Sequence, residues 1–382
     1  MKKRIFYAGM FVRRIAQSLL SPNRLSHIVL FLTHRCNAHC SFCFNTLLQR
    51  HSSQAVDEEL SLEEYVKIAQ NNKPLFQVIF GGGEPFLRED IVEIAKSFYR
   101  YSSARLFSIP TNGSLAQDIL HGIGIMVQEC PKAVFNIEIA IDAVGKKHDE
   151  LRQVPGLFKK VITLCHDIIR IQKCYQNLNL VFNTTVSEYN IDTIIQLRDF
   201  LREEFGSSLK FHNVMYDCRA SAKLFSNPEM VEKVVTLKKR FREKNSEKFQ
   251  IRKNLITRYY SEFINNLLIN QRLKKGMLYK CNAGKKIGVV LPNGEISPCE
   301  PFIFESCYNN NVFPRYNLRD YHYDYKAITR GQGFQKILQF IDNEKCYPCG
   351  WSCAAITSML YSPQNWKRLF TNKDMRKIFL KS

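Results

Sequence analysis

No apolar run in these 382 residues approaches the length of a membrane-spanning helix, which excludes a helical integral membrane protein. Acidic side chains are scarce. Asp and Glu number 35 against 55 Lys and Arg, a net charge of +20, so the surface attracts anions. No appended RNA-binding module is visible, so the charge alone does not make nucleic acid the expected partner. An uninterrupted signal sequence is also missing: Met1-Lys2-Lys3-Arg4 opens like one, but Arg13 and Arg14 break the apolar stretch, and the segment reads as retained. The thirteen cysteines fall in tight clusters, which points to metal and a reducing, cytoplasmic compartment rather than to disulfides.

A further absence is more specific. Cys36, Cys40 and Cys43 form a C-x3-C-x2-C run, and no fourth cysteine follows until Cys130. Tetrahedral zinc wants four ligands, normally in two close pairs. An iron–sulfur cube wants one thiolate per iron, so three thiolates leave one iron open to a substrate or cofactor. A zinc knuckle or three buried thiols is the plain alternative.

The surroundings suit a site for chemistry. The apolar run His27–Phe31 reads as a buried strand leading into the cysteines. Ser61 with Glu64 marks a capped helix start. A second strand, Leu75–Phe80, then runs into Gly81-Gly82-Gly83-Glu84-Pro85, where glycines let backbone approach a ligand closely.

Taken together, the cysteine run with Phe42 before its last member and Gly-Gly-Glu-Pro after the second strand resemble the radical S-adenosylmethionine (SAM) superfamily. The resemblance implies a [4Fe-4S] cluster on Cys36, Cys40 and Cys43, with SAM chelating the fourth iron. Phe42, Gly82, Gly83, Glu84 and Pro85 would border SAM, the backbone of Gly82–Glu84 holding its amino group. It also implies an external reductant such as flavodoxin or ferredoxin. One electron would cleave SAM to methionine and a 5′-deoxyadenosyl radical that takes a hydrogen atom from substrate.

Strand and helix alternate onward, with further strands at Arg105–Ile109, Phe135–Ile141, Leu178–Val186 and Leu209–Met215, and a helix at Asp192–Phe205. Six βα units fit an α/β fold, the partial (β/α)6 TIM-type barrel of that superfamily, with the site at the carboxyl ends of the strands. Strand-end residues Asn112, Asp142, Arg152 and Thr184 are further candidates for contact with SAM, as are Asp217 and Arg219 for the site more broadly. Thr111-Asn112-Gly113 equally suits a plain turn, and a solvated helix position is the ordinary fate of an arginine such as Arg152. Relatives often carry Ser-x-Asp-Gly where this chain has Ala140-Ile141-Asp142-Ala143.

The expected divisions are a basic amphipathic segment at 1–26, the core barrel at 27–226, a charged helical connector at 227–275, a cysteine-rich module at 276–362 and a basic helix at 363–382. In the module, Cys281, a hairpin turn at Pro292–Glu295, Cys299 and the run Cys346, Cys349, Cys353 resemble the SPASM/Twitch auxiliary-cluster extension. Two fully ligated cubes need about eight thiolates, so one auxiliary [4Fe-4S] cluster is expected on Cys281, Cys299 and two of Cys346, Cys349 and Cys353, with Cys307 a possible extra ligand and structural zinc the alternative. Cys130, Cys165, Cys174 and Cys218 read as ordinary buried thiols.

The substrate is less constrained. Basic, amphipathic ends at Met1–Leu20 and Trp366–Phe379 could pack on the barrel or lie peripherally on the inner face of the membrane. Candidate substrates are an anionic lipid or polyprenyl intermediate, a small molecule, or a peptide. With 26 residues before the first strand, a ribosomal-peptide maturase would need a separate recognition partner. A barrel that binds or scaffolds without catalysis is the alternative from another class.

Overall fold

The computed structural model describes residues 24–45, 58–209, 211–215, 223–246, 255–273, 276–303, 313–343 and 349–371, with Cys346 and scattered positions from 9 to 21. Six strands, β1 (His27–Thr33), β2 (Gln77–Gly82), β3 (Leu106–Thr111), β4 (Val134–Ala140), β5 (Leu178–Thr185) and β6 (Phe211–Met215), pair in parallel in chain order. Between them run α1 (Leu62–Asn71), α2 (Ile91–Tyr101), α3 (Ala116–Glu129), α4 (Lys146–Arg152), α5 (Leu157–Cys174) and α6 (Ile194–Phe205). This is the expected partial TIM-type barrel.

Local chemistry explains the elements. The Ser61 hydroxyl accepts from the Glu64 amide at 3.3 Å while the Glu64 carboxylate accepts from the Ser61 amide at 2.8 Å, the capping box that starts α1. β2 begins and ends two residues later than the sequence predicts, because Gly81 and Gly82 still pair with β1. β6 starts at Phe211, two residues later than the sequence predicts, after a 3-10 turn at Gly206–Ser208. The outward faces of the strands carry Phe107, Phe135, Ile137, Ile139 and Phe182, all buried in one core with the helices. Phe107 and Phe135 stack at 4.9 Å between ring centroids. Each such side chain contributes about 2 kcal/mol of apolar burial.

Beyond β6 come α7 (Lys223–Ser226), α8 (Pro228–Ser246) and α9 (Leu255–Leu273). Asp217, Cys218, Arg219 and Cys307 lie outside the described residues. The predicted hairpin forms, as β7 (Ile287–Val290) and β8 (Glu295–Ser297), followed by the short β9 (Tyr316–Asn317). It does more than cap a separate module. β7 pairs in parallel with β1, so one nine-stranded sheet runs through the barrel and the cysteine-rich segment. Flanked on both sides, β1 buries all seven residues.

Four helices close the described chain: α10 (Tyr325–Arg330), α11 (Gln332–Asp342), α12 (Ser352–Tyr361) and α13 (Pro363–Thr371). α13 is docked on the body. Trp366 Nε1 donates to the Met359 carbonyl at 2.9 Å, and Asn365 Nδ2 to that of Lys280 at 2.9 Å. Residues 372–382 and most of 1–23 lie outside the described residues. Among described residues, no helix is long and apolar enough to cross a membrane.

Candidate radical SAM site

The cysteine loop leaves the carboxyl end of β1 and is tied to two neighbours. His39 N donates to the Arg152 carbonyl and Ser41 N to that of Leu151, each at 3.1 Å, so the end of α4 holds Cys40 between two hydrogen bonds. Cys43 N donates to the Cys40 carbonyl at 3.1 Å, closing the turn between them. Ala38, Cys40, Phe42, Ala143 and Leu151 form a small apolar cluster, with Cys36 and Cys43 against it.

The second tie is to the glycine loop. Gly83 N donates to the Thr33 carbonyl at 2.8 Å, and Glu84 N to the Arg35 carbonyl at 2.9 Å. Arg35 directly precedes Cys36. A Cβ on Gly83 would overlap the Arg35 carbonyl, and one on Gly82, at φ 103°, would press on that of Thr33. Only glycine permits this approach.

Glu84 is buried and its carboxylate is spent on the fold. Oε1 accepts from Thr111 Oγ1 at 2.7 Å and Phe86 N at 3.2 Å, and Oε2 accepts from Asn112 N at 2.7 Å. Burial pushes its pKa up against these donors. What this corner offers a ligand is therefore backbone. Pro85, buried, opens the 3-10 turn that follows. Asn112 does more than make a turn: Nδ2 donates to Asn37 Oδ1 at 2.8 Å and lies 3.9 Å from Cys36 Sγ.

Asp142, Thr184 and Arg152 are all buried at the strand ends. Asp142 and Thr184 have no exposed surface. Asp142 accepts from Thr185 N at 2.9 Å and from Arg152 at 2.6 and 2.8 Å, while Thr184 Oγ1 donates to the Ile141 carbonyl at 2.6 Å. Both are positioning groups. Arg152 is not solvated: it is 8% exposed, with its guanidinium 5.9 Å from the Phe42 ring centroid. Burial opposes its charge, yet Asp142 and Cys40 beside it raise its pKa overall.

The thiols fit a cluster. Burial pushes Cys40 up to about 11, with the charges of Cys43, Asp142 and Cys36 adding and Arg152 opposing. Burial raises Cys36 in the same way. Ligation would have to remove these protons, and Arg152 is the cation placed to offset the resulting negative charge. Among described residues, no three or more His, Cys, Asp or Glu close on one point as ligands of a single ion would; a cube spreads its thiolates over separate irons.

The second cysteine set lies elsewhere. Cys281 precedes β7 and Cys299 follows β8, at the amino end of β1, whereas Cys36 follows its carboxyl end. At about 3.3 Å per residue, β1 separates the two ends by about 20 Å. Cys281, Cys299 and Cys349 are buried, and burial, with the charges of Cys346, Cys349 and Cys281 adding to it, raises the Cys299 pKa. Cys353 starts α12 and is half-buried. The Tyr279 and Tyr325 hydroxyls, both buried, have no hydrogen-bond partner among the described residues. Burial raises the pKa of both, with the charges of Cys281, Cys349, Cys299 and Cys346 adding at Tyr279 and that of Cys299 at Tyr325. Two unpaired buried donors in the same segment as the clustered thiols suit an anionic thiolate centre. Cys130 and Cys165 are buried as expected, but Cys174, at the end of α5, is exposed.

The model of the radical SAM superfamily matches residues 30–201. Residues 30–201 are a radical SAM domain. Curated relatives include Fe-coproporphyrin III synthase of Methanosarcina barkeri, 25% identical over 209 residues, which are 53% of this chain and 47% of that protein. Another is GTP 3′,8-cyclase of Clostridium perfringens, 24% identical over 180 residues, 45% of this chain and 50% of that protein. The matches thus span about half the length of these relatives.

Among solved structures, anSMEcpe with bound AdoMet superposes at TM-score 0.53 with 15% identity, covering 93% of this chain and 98% of that one. Streptococcus suis SuiB bound to S-adenosylmethionine gives 0.51 and 18%, covering 86% and 71%. These likenesses speak for the fold. Cys36, Cys40, Cys43 and the glycine loop fall inside the radical SAM domain; the cysteines from Cys281 onward lie beyond it. A [4Fe-4S] cluster and SAM are the cofactors the family implies.

Motif reading missed the tyrosine hydroxyls and the polar side chains on the inner face of the barrel. Asn136 and Glu138 at alternate positions of the otherwise apolar β4 were the available signal for the interior.

Proposed function

We propose that the chain is a radical SAM enzyme that takes a hydrogen atom from a substrate held in its barrel, with a second iron–sulfur cluster in the C-terminal segment. The observation that carries this is the pair of backbone hydrogen bonds joining the glycine loop to the residues just before Cys36. Cys36, Cys40 and Cys43 would hold the cluster, and the backbone of Gly82, Gly83 and Glu84, with Phe42, Pro85 and Asn112 around it, would seat SAM. Bound together, these groups supply a one-electron reductive cleavage and a radical able to abstract hydrogen. Arg152 offsets charge at the thiolates, and the apolar cluster around Cys40 excludes water. An external one-electron reductant is required; the net charge of +20 suits an acidic donor protein or an anionic substrate.

We place the core at 27–226, the connector at 227–275 and the auxiliary-cluster segment at 276–362, with Cys281, Cys299, Cys346 and Cys349 as ligands there and Cys353 as a reserve. Tyr279, whose buried hydroxyl has no hydrogen-bond partner among the described residues, would then donate to thiolate or sulfide. A donor favours the more negative, reduced state, so Tyr279→Phe should lower that cluster's potential by about 40 mV, the equivalent of about 1 kcal/mol for one electron. Potentiometric electron paramagnetic resonance (EPR) reads this; an unchanged potential would remove the hydroxyl from the ligand environment.

Anaerobic reconstitution tests the whole reading. It should give about eight irons per chain for two cubes, and dithionite should convert SAM to methionine and 5′-deoxyadenosine. Bound zinc, iron near zero and intact SAM would instead make the chain a metal-stabilised scaffold.

A further inference from the structure

The inner face of β3–β6 carries several polar side chains among apolar ones such as Val181. Along β4 the outward residues Phe135, Ile137 and Ile139 are buried, whereas Asn136 and Glu138, on the opposite face, are partly open. Register places like positions of neighbouring strands on that same inner face: Asn136 lies beside Ser108 and Asn179, and Asn183 beside Asn213.

These side chains form two hydrogen-bonded groups. Asn183 Nδ2 donates to Glu138 Oε2 at 2.7 Å, and Asn213 Nδ2 to Asn183 Oδ1 at 3.0 Å. Asn179 Nδ2 donates to Asn136 Oδ1 at 3.0 Å, and Gln77 Nε2 to Ser108 Oγ at 3.1 Å. Glu138 pairs in register with Pro110, the residue before Thr111, whose hydroxyl holds Glu84. The carboxyl therefore lies just beneath the rim where SAM would sit.

Each carboxamide has more donors and lone pairs than these bonds use. An acyl or polyprenyl chain filling the space would strip water from them and return nothing. Each group left unpaired costs about 1–3 kcal/mol. A substrate rich in hydroxyl, amine or amide groups would replace that water bond for bond.

Building on the radical SAM reading, we infer that the barrel interior binds a polar, hydrogen-bond-donating portion of the substrate, with Glu138 accepting from a hydroxyl or amine beside the C–H that reacts. Asn136, Asn179, Asn183 and Asn213 read the neighbouring oxygen and nitrogen atoms. The interior thus selects a sugar-like, amino or peptide group over a hydrocarbon chain, whatever anionic part the basic surface attracts.

The test uses the reconstituted full chain with SAM, dithionite and one perdeuterated probe at a time: glucosamine, the tripeptide Ser-Gly-Ser, or farnesyl phosphate. The readout is the fraction of 5′-deoxyadenosine that carries deuterium, which is internally normalised to turnover. Glucosamine or the tripeptide should label it and farnesyl phosphate should not. Glu138→Leu should lower the labelled fraction about tenfold or more, and Glu138→Gln, which keeps one acceptor, by less. If the leucine variant fails to fold, the glutamine variant and Asn183→Leu carry the comparison. Label from farnesyl phosphate, from neither polar probe, or undiminished in the variants overturns the inference. Wild-type protein that forms no 5′-deoxyadenosine even without a probe overturns the radical SAM reading as well, and so is told apart.

Discussion

Cys40→Ala should abolish reductive SAM cleavage, lowering its rate by about three orders of magnitude or more, the equivalent of about 4 kcal/mol or more in the barrier. Among the three thiols Cys40 is the buried one, set in the apolar cluster between the His39 and Ser41 hydrogen bonds to α4. The loop geometry is held by those backbone bonds rather than by the thiol, so alanine leaves the fold in place while removing one of three ligands. Two thiolates cannot keep a cube whose fourth iron is already open. Cys165→Ala is the matched control. Its thiol is also buried, but within the helix-covered core against apolar neighbours, where alanine costs about 1 kcal/mol of stability and no ligand. Iron content, the EPR signal after reduction, and 5′-deoxyadenosine formation should separate the two variants. Normal cleavage by Cys40→Ala would end the assignment of the triad.

The readable parts of this chain were those in which one residue type serves one geometric need. Three cysteines without a fourth, and glycines at a strand end, each have few alternative explanations. The structure gives the glycines a reason, since a Cβ at Gly83 has no room beside Arg35. Ser61 and Glu64 announced α1 because both halves of a capping box are local. Polar strand-end residues were harder to read, because a carboxylate or hydroxyl can face a ligand or a neighbouring strand with the same sequence signature. Asp142 and Thr184 turned to the fold; Glu138, passed over, turned to the interior. Nor could local pattern disclose that β7 would join β1 in parallel across more than 250 residues of chain. That pairing sets the two cysteine groups at opposite ends of one strand, so the C-terminal segment extends the barrel sheet.

The same close approach makes Gly83 the most sensitive non-cysteine position. In Gly83→Ala the new methyl meets the carbonyl oxygen and carbon of Arg35 and the carbonyl oxygen of His34, all backbone atoms that no rotamer change can clear. Relief requires the two loops to separate, which breaks the Gly83–Thr33 and Glu84–Arg35 hydrogen bonds and shifts Cys36. Two hydrogen bonds at about 1 kcal/mol each, plus residual backbone strain of about 1 kcal/mol, come to about 3 kcal/mol. SAM affinity should fall about 100-fold or more, while the parallel β1–β2 ladder, paired from His27 with Gln77 to Leu30 with Phe80, preserves the fold. Gly124→Ala supplies the contrast. That glycine lies within α3 with open space around its Cβ position, and alanine there should stabilise the helix by up to about 1 kcal/mol without touching SAM binding. Calorimetric titration of SAM into reconstituted protein, with thermal unfolding in parallel, measures both effects. Wild-type SAM affinity in Gly83→Ala would mean that the glycine loop does not set the position of the cysteine triad.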